Sequence, residues 1–185
     1  MARSNTLAEV DPAAIDVAAI AVERCSVRDD GRFVNSVHPA LIYRAVLPAD
    51  HPDLGRAFEV LFEANAWPPA WRAGLYEMHH YHSSAHEVLG IMSGWVQARL
   101  GGEAGTCVTL RAGDAVLIPA GVAHKNEGQS PDFRAVGAYP RGMRPDMRYG
   151  REAERAADAR RIARLPPPTL HDPVFGARRV QPAFG

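Results

Sequence analysis

Across residues 73–139 the chain alternates short apolar runs with turn residues. Residues 73–81, 88–92, 95–100, 107–110, 115–118 and 133–139 read as strands. Gly94, Gly101-Gly102, Gly105, Gly113-Asp114 and Pro119-Ala120-Gly121 supply the breaks between them. Parallel strands need long crossovers, and this stretch has no room for them, so the pattern predicts an antiparallel sandwich or small jelly-roll barrel. Upstream, the run at 41–47 ends at Pro48 and reads as another strand. Asp53 is placed as an N-cap, with Leu54, Ala57, Phe58, Leu61 and Phe62 on one helical face before Asn65 and the Pro68-Pro69 stop. Residues 151–165, alanines among dense charges, predict a solvated surface helix that ends before Pro166-Pro167-Pro168. Residues 12–22 read as a short helix on weak periodicity, and 169–185 as an arm across the barrel or a subunit contact.

The 185 residues suit one domain, with a barrel core over about 41–140, an N-terminal arm at 1–40 and a C-terminal helix and arm at 150–185. Hydrophobic residues at 46% and charged residues at 23% are ordinary for a folded globular chain. Lys plus Arg (21) balance Asp plus Glu (21), so no whole-chain field favours nucleic acid or an anionic membrane. No helix-turn-helix is evident either, which sets aside a transcription-factor role. Cys25 and Cys107 form no C-x-x-C pair, and a reducing cytoplasm is the expected compartment. No apolar run approaches the ~20 residues of a membrane span, and no apolar segment follows Arg3, so neither insertion nor export is expected.

Four histidines, His79, His80, His82 and His86, crowd into one short stretch. On a strand, period two puts Tyr76, Met78, His80 and His82 on one face and Leu75, Glu77, His79 and Tyr81 on the other. Imidazoles at i and i+2 lie ~6 to 7 Å apart at their Cα atoms, and converging tips could share a metal at ~2.1 Å. Glu87, at the start of the next apolar run, is placed to add a carboxylate. On a helix, His82 and His86 would share a face, but His86-Glu87-Val88-Leu89-Gly90 lacks the second histidine of a zincin motif, which disfavours a metalloprotease.

The full run Gly74-x5-His80-x-His82-x4-Glu87-x6-Gly94 resembles the first signature of the cupin superfamily. Gly113-x5-Pro119-x-Gly121-x2-His124 resembles the second. The wider strings His79-His80-Tyr81-His82, Pro119 to Asn126 and Gly137-Ala138-Tyr139-Pro140 are similar to a bacterial group of small, functionally uncharacterised, YjlB-like cupins. The resemblance implies a mainly β fold, an antiparallel double-stranded β-helix (jelly-roll cupin barrel) with a few peripheral helices. It also implies one divalent transition metal (Fe, Mn, Ni, Co, Cu or Zn) held by His80, His82, Glu87 and His124. Where the second signature often has Asn, this sequence has Gly128, with Asn126 two positions earlier.

Two functions fit. One is a metal-dependent enzyme, dioxygenase-like or isomerase-like, acting on a small oxygen-rich molecule, with His86, Tyr76 and Tyr139 as candidate catalytic groups; Glu77 is discounted because strand parity turns it away from His80. The other is a non-catalytic ligand-binding module with a structural or ligand-presenting metal, its cavity lined by apolar residues such as Met78, Leu89 and Ile91. Trp67 and Trp71 are expected to pack over one barrel end. A homodimer is expected, because barrels of this type leave sheet edges that a second subunit commonly covers.

Overall fold

The computed structural model describes residues 10–177. Among the described residues, nine strands form two antiparallel sheets: β1 (Ala21–Cys25), β2 (Ala40–Arg44), β3 (Pro69–Ala73), β4 (Glu87–Ser93), β5 (Trp95–Leu100), β6 (Thr106–Arg111), β7 (Ala115–Ile118), β8 (His124–Gln129) and β9 (Arg134–Ala138). The large sheet has the order β1-β2-β7-β4-β9-β3, and the small one β6-β5-β8. The two sheets close over one interior in a jelly-roll arrangement, with α1 (Leu54–Ala64) and α2 (Glu152–Ile162) at the periphery.

Period two sorts the large sheet into two buried faces. On β2, β4 and β7, Ile42, Leu89, Ile91 and Val116 point inward to meet Val96, Ala98, Leu100 and Leu110 of the small sheet. Their neighbours Leu41, Tyr43, Val88 and Leu117 point outward, into a second core under α1. That helix starts where the Asp53 carboxylate accepts the Arg56 amide (2.8 Å), and buries Leu54, Ala57, Phe58, Leu61 and Phe62 as its spacing predicts. Gly90 makes room for it: a Cβ there would lie 2.4 Å from the Phe58 ring. Because both faces are covered, β4 is a continuous apolar run rather than an alternating one.

Several expectations need correction. Residues 12–22 are not a helix: a single 3-10 turn (Pro12–Ala14) precedes β1, so part of the expected N-terminal arm is an edge strand of the large sheet. Strands β3 and β8 were not anticipated, since prolines obscure one and the polar run His124-Lys-Asn-Glu-Gly-Gln the other. The predicted strand at 73–81 ends at Ala73. Beyond Gly74 the chain bends at Glu77-Met78 and crosses to the small sheet, touching it by a His80–His124 bridge and by the Asn126 amide donating to the Tyr76 carbonyl (2.8 Å).

The C-terminal segment packs on the barrel as far as it is described. Asp172 accepts the Tyr43 hydroxyl (2.8 Å) and the amides of Val174 and Phe175, while Phe175 packs edge-on to Tyr43. Residues 178–185 of the expected arm lie outside the described residues. Helix α2 buries Asp158, which accepts the Tyr81 hydroxyl (2.7 Å), and rests Ile162 against Phe33, Tyr81 and Ala123.

Candidate metal centre

Three backbone events bring the histidines together. The His80 and His124 main chains exchange hydrogen bonds (3.2 and 2.9 Å), which brings their rings to 4.2 Å at a tilt of 59°. The Gly121 amide donates to the His82 carbonyl (2.9 Å), holding His82 beside the turn that launches β8. Glu87 opens β4 with the inward parity of Leu89 and Ile91, so its carboxylate enters the barrel. The imidazole nitrogens of His80, His82 and His124 lie within 4.8 Å of one another, all buried. Glu87 Oε2 stands 3.4 Å from His82 Nε2 and 3.2 Å from His124 Nε2.

Backbone carbonyls fix which nitrogen of each ring faces the others. Nδ1 of His80 meets the Met78 carbonyl (3.2 Å), Nδ1 of His124 the Val122 carbonyl (3.0 Å), and Nδ1 of His82 the Asp146 carbonyl. A carbonyl only accepts, so each Nδ1 carries the proton and each neutral ring turns an Nε2 lone pair toward the cluster. Glu87 Oε2 and His124 Nε2 are then buried acceptors facing each other without a hydrogen-bond partner. Such an arrangement is costly unless a cation lies between the donor atoms. Three imidazoles and a carboxylate, each ring held by a carbonyl behind it, fit a divalent first-row transition metal.

Burial pushes the Glu87 carboxyl up, but the His124 and His82 rings beside it outweigh burial and hold it below the usual carboxylate range. Burial and the neighbouring His124 push His80 down to about 3. His82, although burial opposes its charge, is raised by Glu87.

A cavity of about 380 Å³ opens beside the cluster, walled by Trp71, Leu75, Tyr76, Tyr139 and Met147. Tyr139 donates its hydroxyl to Glu87 Oε1 (2.8 Å) and accepts from Trp71 Nε1 (3.0 Å). Burial and the Glu87 charge raise its pKa far above the usual phenol range, so it stays protonated and orients Glu87. Tyr76, 60% exposed, stands at the rim with its ring edge-on to His80.

His86 lies elsewhere. Its Nδ1 accepts the Ala120 amide (2.9 Å) and its Nε2 donates to the Pro166 carbonyl (2.9 Å), which fastens the C-terminal polyproline turn. His79 and Glu77 line a separate surface pocket with Glu103 and Lys125, consistent with their facing away from His80. Met78 points out to solvent at 60% exposure, and Leu89 and Ile91 belong to the sheet-to-sheet core, so none of the three lines the cavity. Asn126 is occupied with Gly128 and Gln129. Trp71, expected over one barrel end, walls the cavity, whereas Asp146 and Met147 carry no local spacing that ties them to the histidines.

A protein of Bacillus subtilis (strain 168) described as uncharacterized protein YjlB is 38% identical over 151 residues, covering 81% of this chain and 88% of its own. The chain belongs to the YjlB family. No family model matches the chain. Among solved structures, a DUF861 family protein of Thermotoga maritima aligns with 43% of this YjlB-family chain and 86% of its own length, at 25% identity and a TM-score of 0.30. Streptomyces albus HEPD, solved with 2-hydroxyethylphosphonate and Fe(II), aligns with 80% of this chain and 28% of its own, at 11% identity and a TM-score of 0.30. At those scores neither overlay bears on the site.

Proposed function

We propose that His80, His82, Glu87 and His124 hold one divalent transition metal (Fe, Mn, Ni, Co, Cu or Zn) and that the protein is a metal-dependent enzyme, dioxygenase-like or isomerase-like, acting on a small oxygen-bearing organic molecule. The observation that carries this reading is the pair of buried acceptors, Glu87 Oε2 and His124 Nε2, aimed at each other while the Nδ1 protons of His80 and His124 are spent on carbonyls. A metal bound there supplies Lewis acidity toward a chelating oxygen and, if redox-active, electron exchange with dioxygen. The chain contributes the rest. Carbonyls orient the rings, Tyr139 holds Glu87, and the aromatic and apolar wall keeps bulk water from the inner end of the cavity.

A non-catalytic ligand-binding role has one observation in its favour: Tyr139 is committed as a donor, and no second carboxylate or histidine outside the ligand set lines the cavity among the described residues. Elemental mass spectrometry on protein purified without a metal-affinity tag tests the centre. One metal per chain is expected, falling in both His82→Ala and His124→Ala; a metal-free wild type after reconstitution overturns it. Oxygen uptake or substrate isomerisation by the loaded protein then separates enzyme from binder. We also propose a homodimer, since β1 and β3 leave the large sheet with two edges; light scattering reads its mass.

A further inference from the structure

Resting on the metal reading above, we infer that the ligand of this cavity concentrates its polarity in one chelating head and carries a flat, apolar body. The wall is built that way. Trp71 Nε1 and the Tyr139 hydroxyl are the polar handles of its deep part, and they are spent on each other and on Glu87. What they offer a ligand is ring faces. Leu75 and Met147 complete an apolar clamp, and among the described residues no lysine or arginine lines the space. A phosphate or a second carboxylate entering it would lose its hydration without a cationic partner, and a polyhydroxylated body would lose hydrogen bonds that the wall cannot replace. Among the described residues, the buried side-chain atoms without a partner beside this space are Glu87 Oε2 and His124 Nε2, at its histidine end.

The position of Trp71 is itself engineered by the fold. Its indole lies against Gly137 of β9, where a Cβ would come within 2.0 Å of the ring. The glycine lets the indole lie close against the strand backbone and leaves the space in front of it open. At about 380 Å³ the cavity has the size of a site for one small molecule, and a single aromatic ring with a two-atom chelating group fits that scale.

Hydroxamates separate head from body, because acetohydroxamate, benzohydroxamate and gluconohydroxamate share one bidentate head. Calorimetric titration of the metal-loaded protein is expected to show benzohydroxamate binding at least tenfold tighter than acetohydroxamate, from the extra apolar area buried, and gluconohydroxamate no tighter than acetohydroxamate. Trp71→Phe is expected to keep the preference and Trp71→Ala to reduce it severalfold, with metal content unchanged in both. Equal affinity for the three, or a preference for the polyol, overturns this inference and leaves the metal centre standing. A protein that holds no metal overturns the proposed centre, and this inference with it. The wild-type comparison decides even if Trp71→Ala fails to fold.

Discussion

Nδ1 of His82 donates to the backbone carbonyl of Asp146, 64 residues further along the chain. The Asp146 carboxylate in turn accepts from the Ser83 amide (2.7 Å), the Ser83 hydroxyl (2.6 Å), Arg148 (2.8 Å) and Arg161 of α2 (3.0 Å). One residue therefore bolts the 144–148 segment to the histidine loop with its side chain and aims an imidazole of the cluster with its main chain. Asp146→Ala should release the carbonyl from its position and lower metal affinity by about 10–100-fold, the usual effect of losing a partner behind a ligand. Competition with a chromogenic chelator measures it, and Arg161→Met should give a smaller loss in the same direction. Unchanged affinity in Asp146→Ala would show that the carbonyl does not set the ring.

The same carboxylate predicts an acid limit to stability. Burial raises its pKa, but hydrogen bonds from Ser83, Arg148 and Ser84 dominate and hold it well below the usual range. In the unfolded chain an aspartate takes up its proton near ~3.9. A depressed folded pKa gives stability that is fully present above that value and is lost as pH falls through the folded one. Urea denaturation should therefore show a gap between wild type and Asp146→Asn at pH 7 that narrows below about pH 4. A gap of constant size down to pH 3 would contradict the assignment.

Tyr139→Phe distinguishes a positioning tyrosine from an acid–base one. Removing the hydroxyl strands both Glu87 Oε1 and Trp71 Nε1, which should cost about 1–3 kcal/mol of stability. Metal affinity should fall by roughly tenfold as Glu87 loses its orienting donor. If metal binding and stability hold while turnover alone collapses, Tyr139 exchanges a proton with substrate and the positioning role is wrong.

The outer core makes a prediction independent of the metal. Phe58, fully buried, packs on Phe62 and over Gly90, so Phe58→Ala should destabilise by about 3–5 kcal/mol through lost burial and the cavity it leaves. Gly90→Ala drives a methyl to within 2.4 Å of the same ring and should cost about 1–3 kcal/mol by overpacking. Both read out as shifts in the denaturation midpoint at unchanged slope.

Much of the architecture was legible because it depends on local periodicity. The α1 face, its Asp53 cap and the cores of β4, β5 and β7 follow from apolar spacing and turn glycines that act over a few residues. The approach of His80, His82, Glu87 and His124 was legible for a different reason: the two signatures place these residue types at fixed offsets on segments that the barrel brings together.

What stayed hidden was decided by contacts between residues distant in the chain. Parity holds at Tyr76 but failed at Met78, because the chain bends at Glu77-Met78 to cross between sheets, and a crossing leaves no mark in a hydrophobic pattern. β8 is polar enough to read as loop, yet it pairs with β5 from Leu100 to Val96, because backbone hydrogen bonding does not depend on side-chain type. His86 stands close in sequence to His80 and His82 of the cluster but is spent on Ala120 and Pro166. Trp71 becomes a cavity wall only because Gly137 of the neighbouring strand has no side chain to displace it. The sequence alone determined α1, the cores of β4, β5 and β7, the residue types of the cluster and the family of the fold. Tertiary structure decided which nitrogen of each ring faces inward, what holds it there and what surrounds the open side, since carbonyls and partners dozens of residues away fix all three.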